Sequence, residues 1–223
     1  MDLSFTVAPK VKQLGIKVCT FLAAGLDNSG GHPEFDAWKA SVIEEAVSNL
    51  NQETLKEDPV ILGYRDLHTR LGKSNRKFTA SPEALISYVL KRGELPSINL
   101  VVDIYNLVSI RTRLSLGCHD VSQLSERVEL RMTTGSESFL PMGETKTVTI
   151  PEGEYCYIDG ESNVICRMEC RQTDSTKVTL NTESCLFIVQ GNGNTDWPKV
   201  ESTTEELSGL VTKYCGGTQR MLS

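Results

Sequence analysis

The chain has 223 residues, a formal charge of −6, 39% hydrophobic residues and 23% charged ones. That size supports a real hydrophobic core in one large or two small domains, and the acidic balance argues against indiscriminate nucleic-acid binding, which rests on neutralising phosphates. No apolar run approaches the roughly 20 residues that span a bilayer, and the opening "MDLSFTVAPK" lacks the basic-then-apolar pattern of a signal peptide, so a cytoplasmic protein is expected.

In chain order, residues 11–24 ("VKQLGIKVCTFLAA") read as a strand, and "HPEFDAWKASVIEEAVSNL" reads as a helix from Pro33, early acidic residues and the spacing of Phe35, Trp38, Val42, Ile43 and Ala46. A second helix is predicted over 59–71, stopped by Gly72. A third starts at Ser81, whose hydroxyl precedes a proline suited to the first turn, and stops at Gly93. A fourth covers about 97–112. After residue 117 the texture alternates and is punctuated by Gly, Pro and Asp. "RVELRMTT", "KTVTIP", "EYCYID", "NVICRMECR", "KVTLNT" and "CLFIVQG" read as strands, and an amphipathic helix closes the chain at about 202–214. The fold class expected is α+β in a single domain, 1–223, with helices mainly in the N-terminal half packed on a mostly antiparallel sheet in the C-terminal half.

The fourth helix carries the chemistry. "VVDIYNLVSI" is apolar nearly all round, which marks a buried helix. At about 100° per residue, Asn99, Asp103, Asn106 and Ser109 fall within an arc of roughly 120°. Buried polar groups left unpaired cost roughly 1–3 kcal/mol. The edge is therefore either an internal hydrogen-bond network or the wall of a polar pocket. Downstream, Gly117 permits a tight turn or a close ligand approach. Cys118 and His119 are adjacent and face opposite ways in an extended segment, which argues against a Cys–His nucleophile pair. The seven cysteines are odd in number and scattered, as expected of reduced thiols. Cys166 and Cys170 in "CRMEC" lack the two-residue gap and second pair usual in a zinc site, so no metal is expected. The segment 64–78 is basic, with Arg65, Arg70, Lys73, Arg76 and Lys77 against Asp66. It reads equally as a solvated face or an approach surface for an anionic polymer.

The run "SPEALISYVLKRGELPSINLVVDIYNLVSIRTRLSLGCHD" resembles the signature of the B3/B4 module, the editing domain of the phenylalanyl-tRNA synthetase beta subunit. The family's "IN-x-VVD-x-x-N" helix appears as Ile98, Asn99, Val101, Val102, Asp103 and Asn106. Its following "G-x-P-L-H-A-F-D" appears as Leu116, Gly117, Cys118, His119 and Asp120, and "VTLNT" at 178–182 looks like a third family motif. The resemblance covers about 60–190 and is closest to free-standing relatives of the module. It implies hydrolysis of an amino acid misattached to tRNA, with Asn106 and Tyr105 contacting that amino acid. The family's histidine aligns with Gly117, so its role passes to His119 only if the loop shifts. The family's specificity carboxylate on the last strand has no match here, Gln190 lying nearby.

With that resemblance, Asn106, His119 and Glu169 are the candidate catalytic residues. Asn99, Asp103, Tyr105, Ser109, Gly117, Arg167 and Arg171 are the candidate substrate-binding residues, Glu169 sharing a strand face with the two arginines if "CRMECR" is a regular strand. Arg70, Lys73, Arg76, Lys77 and Lys177 are candidates for RNA. The partner implied is the aminoacylated 3′ end of a tRNA. No cofactor, membrane or DNA partner is expected, and ATP use is not expected without a Gly-rich phosphate loop. A non-catalytic RNA-binding module and a small-molecule binder remain alternatives.

Overall fold

The computed structural model describes residues 3–222. In chain order it holds β1 (Ser4–Val7), α1 (Pro9–Lys12), β2 (Lys17–Ala24), α2 (Pro33–Asn49), α3 (Gln52–Glu57), α4 (Pro59–Arg70), α5 (Ser81–Arg92), α6 (Leu100–Thr112), β3 (Ser115–Asp120) and β4 (Arg127–Met132). There follow β5 (Ser138–Phe139), β6 (Val148–Thr149), β7 (Tyr155–Asp159), β8 (Val164–Arg167), β9 (Arg171–Gln172), β10 (Ser184–Gly191), α7 (Trp197–Cys215) and β11 (Thr218–Met221).

Three layers result. A four-stranded antiparallel sheet, in the order β11-β2-β10-β3, lies in the middle. Helices cover one face and a five-stranded sheet, β1-β4-β7-β8-β9, covers the other. The central strand explains the arrangement. "CLFIV" in β10 is apolar without interruption because both of its faces are buried. Cys185, Phe187 and Val189 pack toward the helices, whereas Leu186 and Ile188 pack toward the second sheet. α6 runs against β3 and α7 and is overlaid by α2 and α5, which buries it on nearly every side. The fold is α+β, as its sequence texture implied.

Several local readings are corrected. The strand expected from residue 11 starts at Lys17. The residues before it form a one-turn helix and a turn with Gly15 at φ +85°. β1, α3 and β3 were not foreseen. β3 holds a glycine and polar residues in positions that only pairing with β10 organises. Residues 177–182 are irregular with a turn at 180–181, not a strand, and α7 begins at Trp197, five residues before the expected start. The N-terminal strand β2 is internal to the middle sheet, and β1 pairs in parallel with β4. Ser81 does not cap α5. Ala80 is the N-cap, and the Ser81 hydroxyl instead meets that of Ser115 at 2.9 Å.

"CRMECR" is not one regular strand. β8 ends at Arg167, and a turn with Met168 at φ +54° separates it from β9. Glu169 therefore leaves the face it was expected to share with Arg167 and Arg171, because a left-handed residue breaks the two-residue alternation.

Candidate functional site

A cavity of about 200 Å³ opens where the edge strands β3 and β9 and the starts of α5 and the middle of α6 converge. Its walls follow from strand parity. In β3, Leu116 and Cys118 belong to the helix-side core, so Ser115, Gly117 and His119 turn toward the second sheet and line the space. In β10, Ile188 and Gln190 do the same. The second sheet contributes Tyr157, Cys166, Glu169, Cys170, Arg171 and Gln172, and α6 contributes Tyr105 and Asn106. A wider groove of about 730 Å³ runs past Lys17 and Trp197. It gathers none of the candidate residues.

Behind the cavity wall lies a buried polar network centred on Glu169, which is 3% exposed. One carboxylate oxygen accepts from the Tyr155 hydroxyl and from Gln190 Nε2 at 3.1 Å, and the other meets His68 Nε2. Gln190 in turn accepts from Tyr157 through Oε1. The Tyr64 hydroxyl donates to the Gln190 carbonyl at 2.5 Å and accepts from the Ser115 amide at 2.9 Å. Burial alone would lower the imidazole pKa of His68, but hydrogen bonding to Glu169 and its charge outweigh this and raise it. Burial and the Glu169 charge push the Tyr155 hydroxyl well up, so it remains a donor.

His119 is the opposite case. Burial lowers its pKa to about 3, so the ring is neutral at physiological pH. Its tautomer follows from the network. Gln172 Nε2 donates to the Cys118 carbonyl at 2.6 Å, which identifies that atom as the amide nitrogen. The same nitrogen approaches His119 Nδ1 at 3.1 Å, and the Thr176 hydroxyl reaches Nδ1 at 2.7 Å. Nδ1 is therefore the acceptor, and the proton sits on Nε2. His119 borders the cavity as a fixed N–H donor and a weak base.

The polar edge of α6 divides. Asn99 is the N-cap: its Oδ1 accepts from the Val102 amide at 3.0 Å and its Nδ2 donates to the Val178 carbonyl at 3.2 Å. Asp103 accepts from Lys39 at 2.8 Å and from the Ile98 amide at 2.9 Å. Ser109 donates to the Leu114 carbonyl at 2.7 Å. These three brace the protein and do not line the cavity. Asn106 and Tyr105 do line it, joined there by Gly117, His119, Glu169 and Arg171. Gly117 is extended rather than turned, and a Cβ built on it would meet nothing within 4 Å. Its lack of a side chain leaves room in the cavity.

The basic candidates are more dispersed. Arg167 forms a two-pronged pair with Glu154 at 2.7 and 2.8 Å, and Lys73 meets the same carboxylate. Both cations also lie over the Phe78 ring, at 4.9 and 5.8 Å from its centroid. Arg70 donates to the Leu14 carbonyl, and Lys177 pairs with Asp174 at 3.0 Å. Arg76 and Lys77 are exposed. Arg171 stands at the cavity, half-exposed, with Glu144 3.3 Å away.

Sequence reasoning missed His68, Tyr155, Tyr157, Gln172, Thr176 and Gln190 as parts of this site. A signal existed for the tyrosines, since "EYCYID" places them on one strand face opposite Cys156. None existed for His68, which reaches Glu169 from 101 positions away in sequence.

Comparison with known proteins agrees with this architecture. A family model described as the B3/4 domain matches residues 63–216. Among solved structures, an N-terminal fragment of the phenylalanyl-tRNA synthetase beta-subunit from Pyrococcus horikoshii superposes with a TM-score of 0.53 at 14% sequence identity. The match covers 99% of this chain and 51% of that one, so the chain spans about half the length of the fragment it resembles. At that identity the likeness is one of fold. No curated protein matches in sequence. Among the described residues, no helix is long and apolar enough to cross a membrane.

Proposed function

This chain belongs to the B3/4 domain family, and from that premise we propose that it binds the aminoacylated 3′ end of a tRNA and hydrolyses the ester of a misattached amino acid. The observation that carries the reading is the cavity itself. It gathers Tyr105, Asn106 and His119 in a space of about 200 Å³, smaller than the roughly 300–1,000 Å³ of ordinary small-molecule sites. That scale suits one amino-acid residue.

Hydrolysis of such an ester develops negative charge on the carbonyl oxygen, and fixed donors aimed at that oxygen lower the barrier. His119 supplies a neutral N–H whose direction is set by Gln172 and Thr176. The Asn106 amide supplies a second donor or orients the amino acid. Glu169 already receives three hydrogen bonds. Its carboxylate oxygens are thus engaged in holding the cavity wall. Arg171, half-exposed at the cavity, suits a terminal phosphate, with Arg76 and Lys77 as further approach charges.

The test is deacylation of a panel of mischarged tRNAs. We expect at least one ester to be lost faster than in buffer. Removing one fixed donor, as in His119→Phe, should slow that loss by about 10²- to 10³-fold. A panel that decays only at the buffer rate sinks hydrolysis. One observation favours a second reading, binding without catalysis: both Glu169 oxygens and His119 Nδ1 are already engaged in hydrogen bonds. That reading predicts salt-dependent tRNA binding with no deacylation, measured on the same samples.

A further inference from the structure

We propose that His68, Glu169 and Cys170 form a zinc site at the inner wall of the cavity. His68 Nε2, a Glu169 oxygen and Cys170 Sγ all lie within 4.8 Å of one another. They come from α4 and from the turn between β8 and β9. That turn holds Met168 at φ +54°, and the adjacent residues Glu169 and Cys170 both reach the same imidazole.

The separation of Cys170 Sγ from His68 Nε2 is 3.8 Å. Bonds of about 2.0–2.3 Å to a tetrahedral zinc place ligand atoms roughly 3.3–3.7 Å apart, so this edge nearly fits. His68 and Glu169 are in hydrogen-bond contact, and the metal would replace the shared proton and part them. The donor set selects the metal. One sulfur, one imidazole and one carboxylate suit zinc, whereas magnesium and calcium take oxygen. A thiolate and a carboxylate also balance the two charges of the ion, so the loaded site buries no net charge.

The surroundings match those of a ligand shell. Tyr155 and Gln190 hydrogen-bond the outer oxygen of Glu169, as partners of ligating carboxylates do. On the far side of His68, Nδ1 and Asn75 Oδ1 are both buried without a hydrogen bond of good geometry, and after Glu169 the Phe78 backbone and the Asn75 side chain are the groups that act on this ring. A small shift pairs Nδ1–H with Asn75 and leaves Nε2 free as the ligand atom. Glu169 and Cys170 border the cavity, so a fourth position on the metal opens toward it. Three protein ligands plus an open position are the arrangement in which zinc activates water. The site stands on its own geometry. If the ester reading above also holds, it provides the water that His119 and Glu169 are poorly placed to activate.

Sequence spacing pointed away from a metal because only Cys166 and Cys170 were in view. Cys166 turns to the Met168 carbonyl at 3.1 Å instead, and the missing ligand is His68.

The test uses the full chain, stripped with a chelator and titrated with cobalt(II) and then zinc. The expected result is one ion per chain, with a thiolate-to-cobalt charge-transfer band that zinc abolishes. Cys170→Ser should remove the band and Cys166→Ser should leave it. In weak buffer, zinc should release the Cys170 thiol proton as the thiolate binds. Asn75→Ala, which leaves all three ligands, should weaken zinc binding about 10- to 100-fold. Absence of stoichiometric binding to the unmodified chain overturns the site, as does a band that survives Cys170→Ser or vanishes with Cys166→Ser. These readouts are independent of tRNA, so the metal and the hydrolysis fail separately.

Discussion

Asn99, Asp103 and Ser109 stand on the same edge of α6 as Asn106, yet the first three spend their polar atoms inside the protein while Asn106 borders a cavity. The difference lies in what faces each turn. At the start of the helix, Lys39 and the 97–99 segment close over Asp103, and the Val178 carbonyl meets Asn99. One turn further along, β3 offers Gly117 rather than a side chain, and the two sheets have reached their edge strands. A single polar stripe thus serves packing on both sides of one residue, Asn106, that borders a cavity.

Substitutions can break this contrast. The largest stability effect is expected at Asp103, since Asp103→Ala leaves the nearly buried Lys39 ammonium with the Ser97 hydroxyl but no carboxylate, and the Ile98 amide without its acceptor. A loss of about 3–5 kcal/mol in denaturant unfolding is expected, as for removal of one partner of a buried pair. A change under 1 kcal/mol would place Asp103 with the cavity group instead. Asn106→Ala should do the reverse, costing less than about 1 kcal/mol of stability while lowering deacylation or tRNA-end binding about tenfold or more.

The pH dependence of unfolding sharpens the same division between the two histidines. His119 has a folded pKa of about 3 against an unfolded value near 6.5. The unfolded chain therefore binds the extra proton between those values, and stability falls as pH drops, by on the order of 2 kcal/mol from pH 6 to pH 4. Glu137, held down to about 2 because hydrogen bonds from Arg131 and the 134–136 turn outweigh its burial, adds to the loss below the ordinary carboxylate range. His68 has the opposite sign. Its raised pKa contributes stability below about pH 6.5 that is lost as pH rises through the folded value. In His119→Phe the acid-side slope should shrink, and an unchanged slope would mean that another group drives it.

Smaller effects come last. Asn99→Ala should cost about 1 kcal/mol through loss of the helix cap, with turnover per folded molecule unchanged. Gly117→Ala is expected to hold or raise stability by up to about 1 kcal/mol, since its backbone is extended and its Cβ meets open space. The same methyl group should weaken ligand binding, because it enters the cavity.

Much of this was legible in the chain. The helices at α2, α4 and α5 announced themselves by spacing, proline and terminal glycine, and β10 by its unbroken apolar run, because those features act within a few residues. The polar edge of α6 was equally legible as an anomaly, since a carboxylate and amides on a buried helix require partners wherever the chain goes. Which partner each one found was a tertiary matter. Lys39 reaches Asp103 from 64 positions away and Asn28 Oδ1 meets the Val101 amide from 73. β3 became a strand only because β10 supplied its hydrogen bonds. The buried group of His68, Glu169 and Cys170 exists only where α4 passes the turn between β8 and β9. Local sequence determines what a segment can be and which side chains will need company. Only the packed structure decides who provides it, because the energy of a buried polar group depends on atoms a few ångströms away in space, however distant they are along the chain.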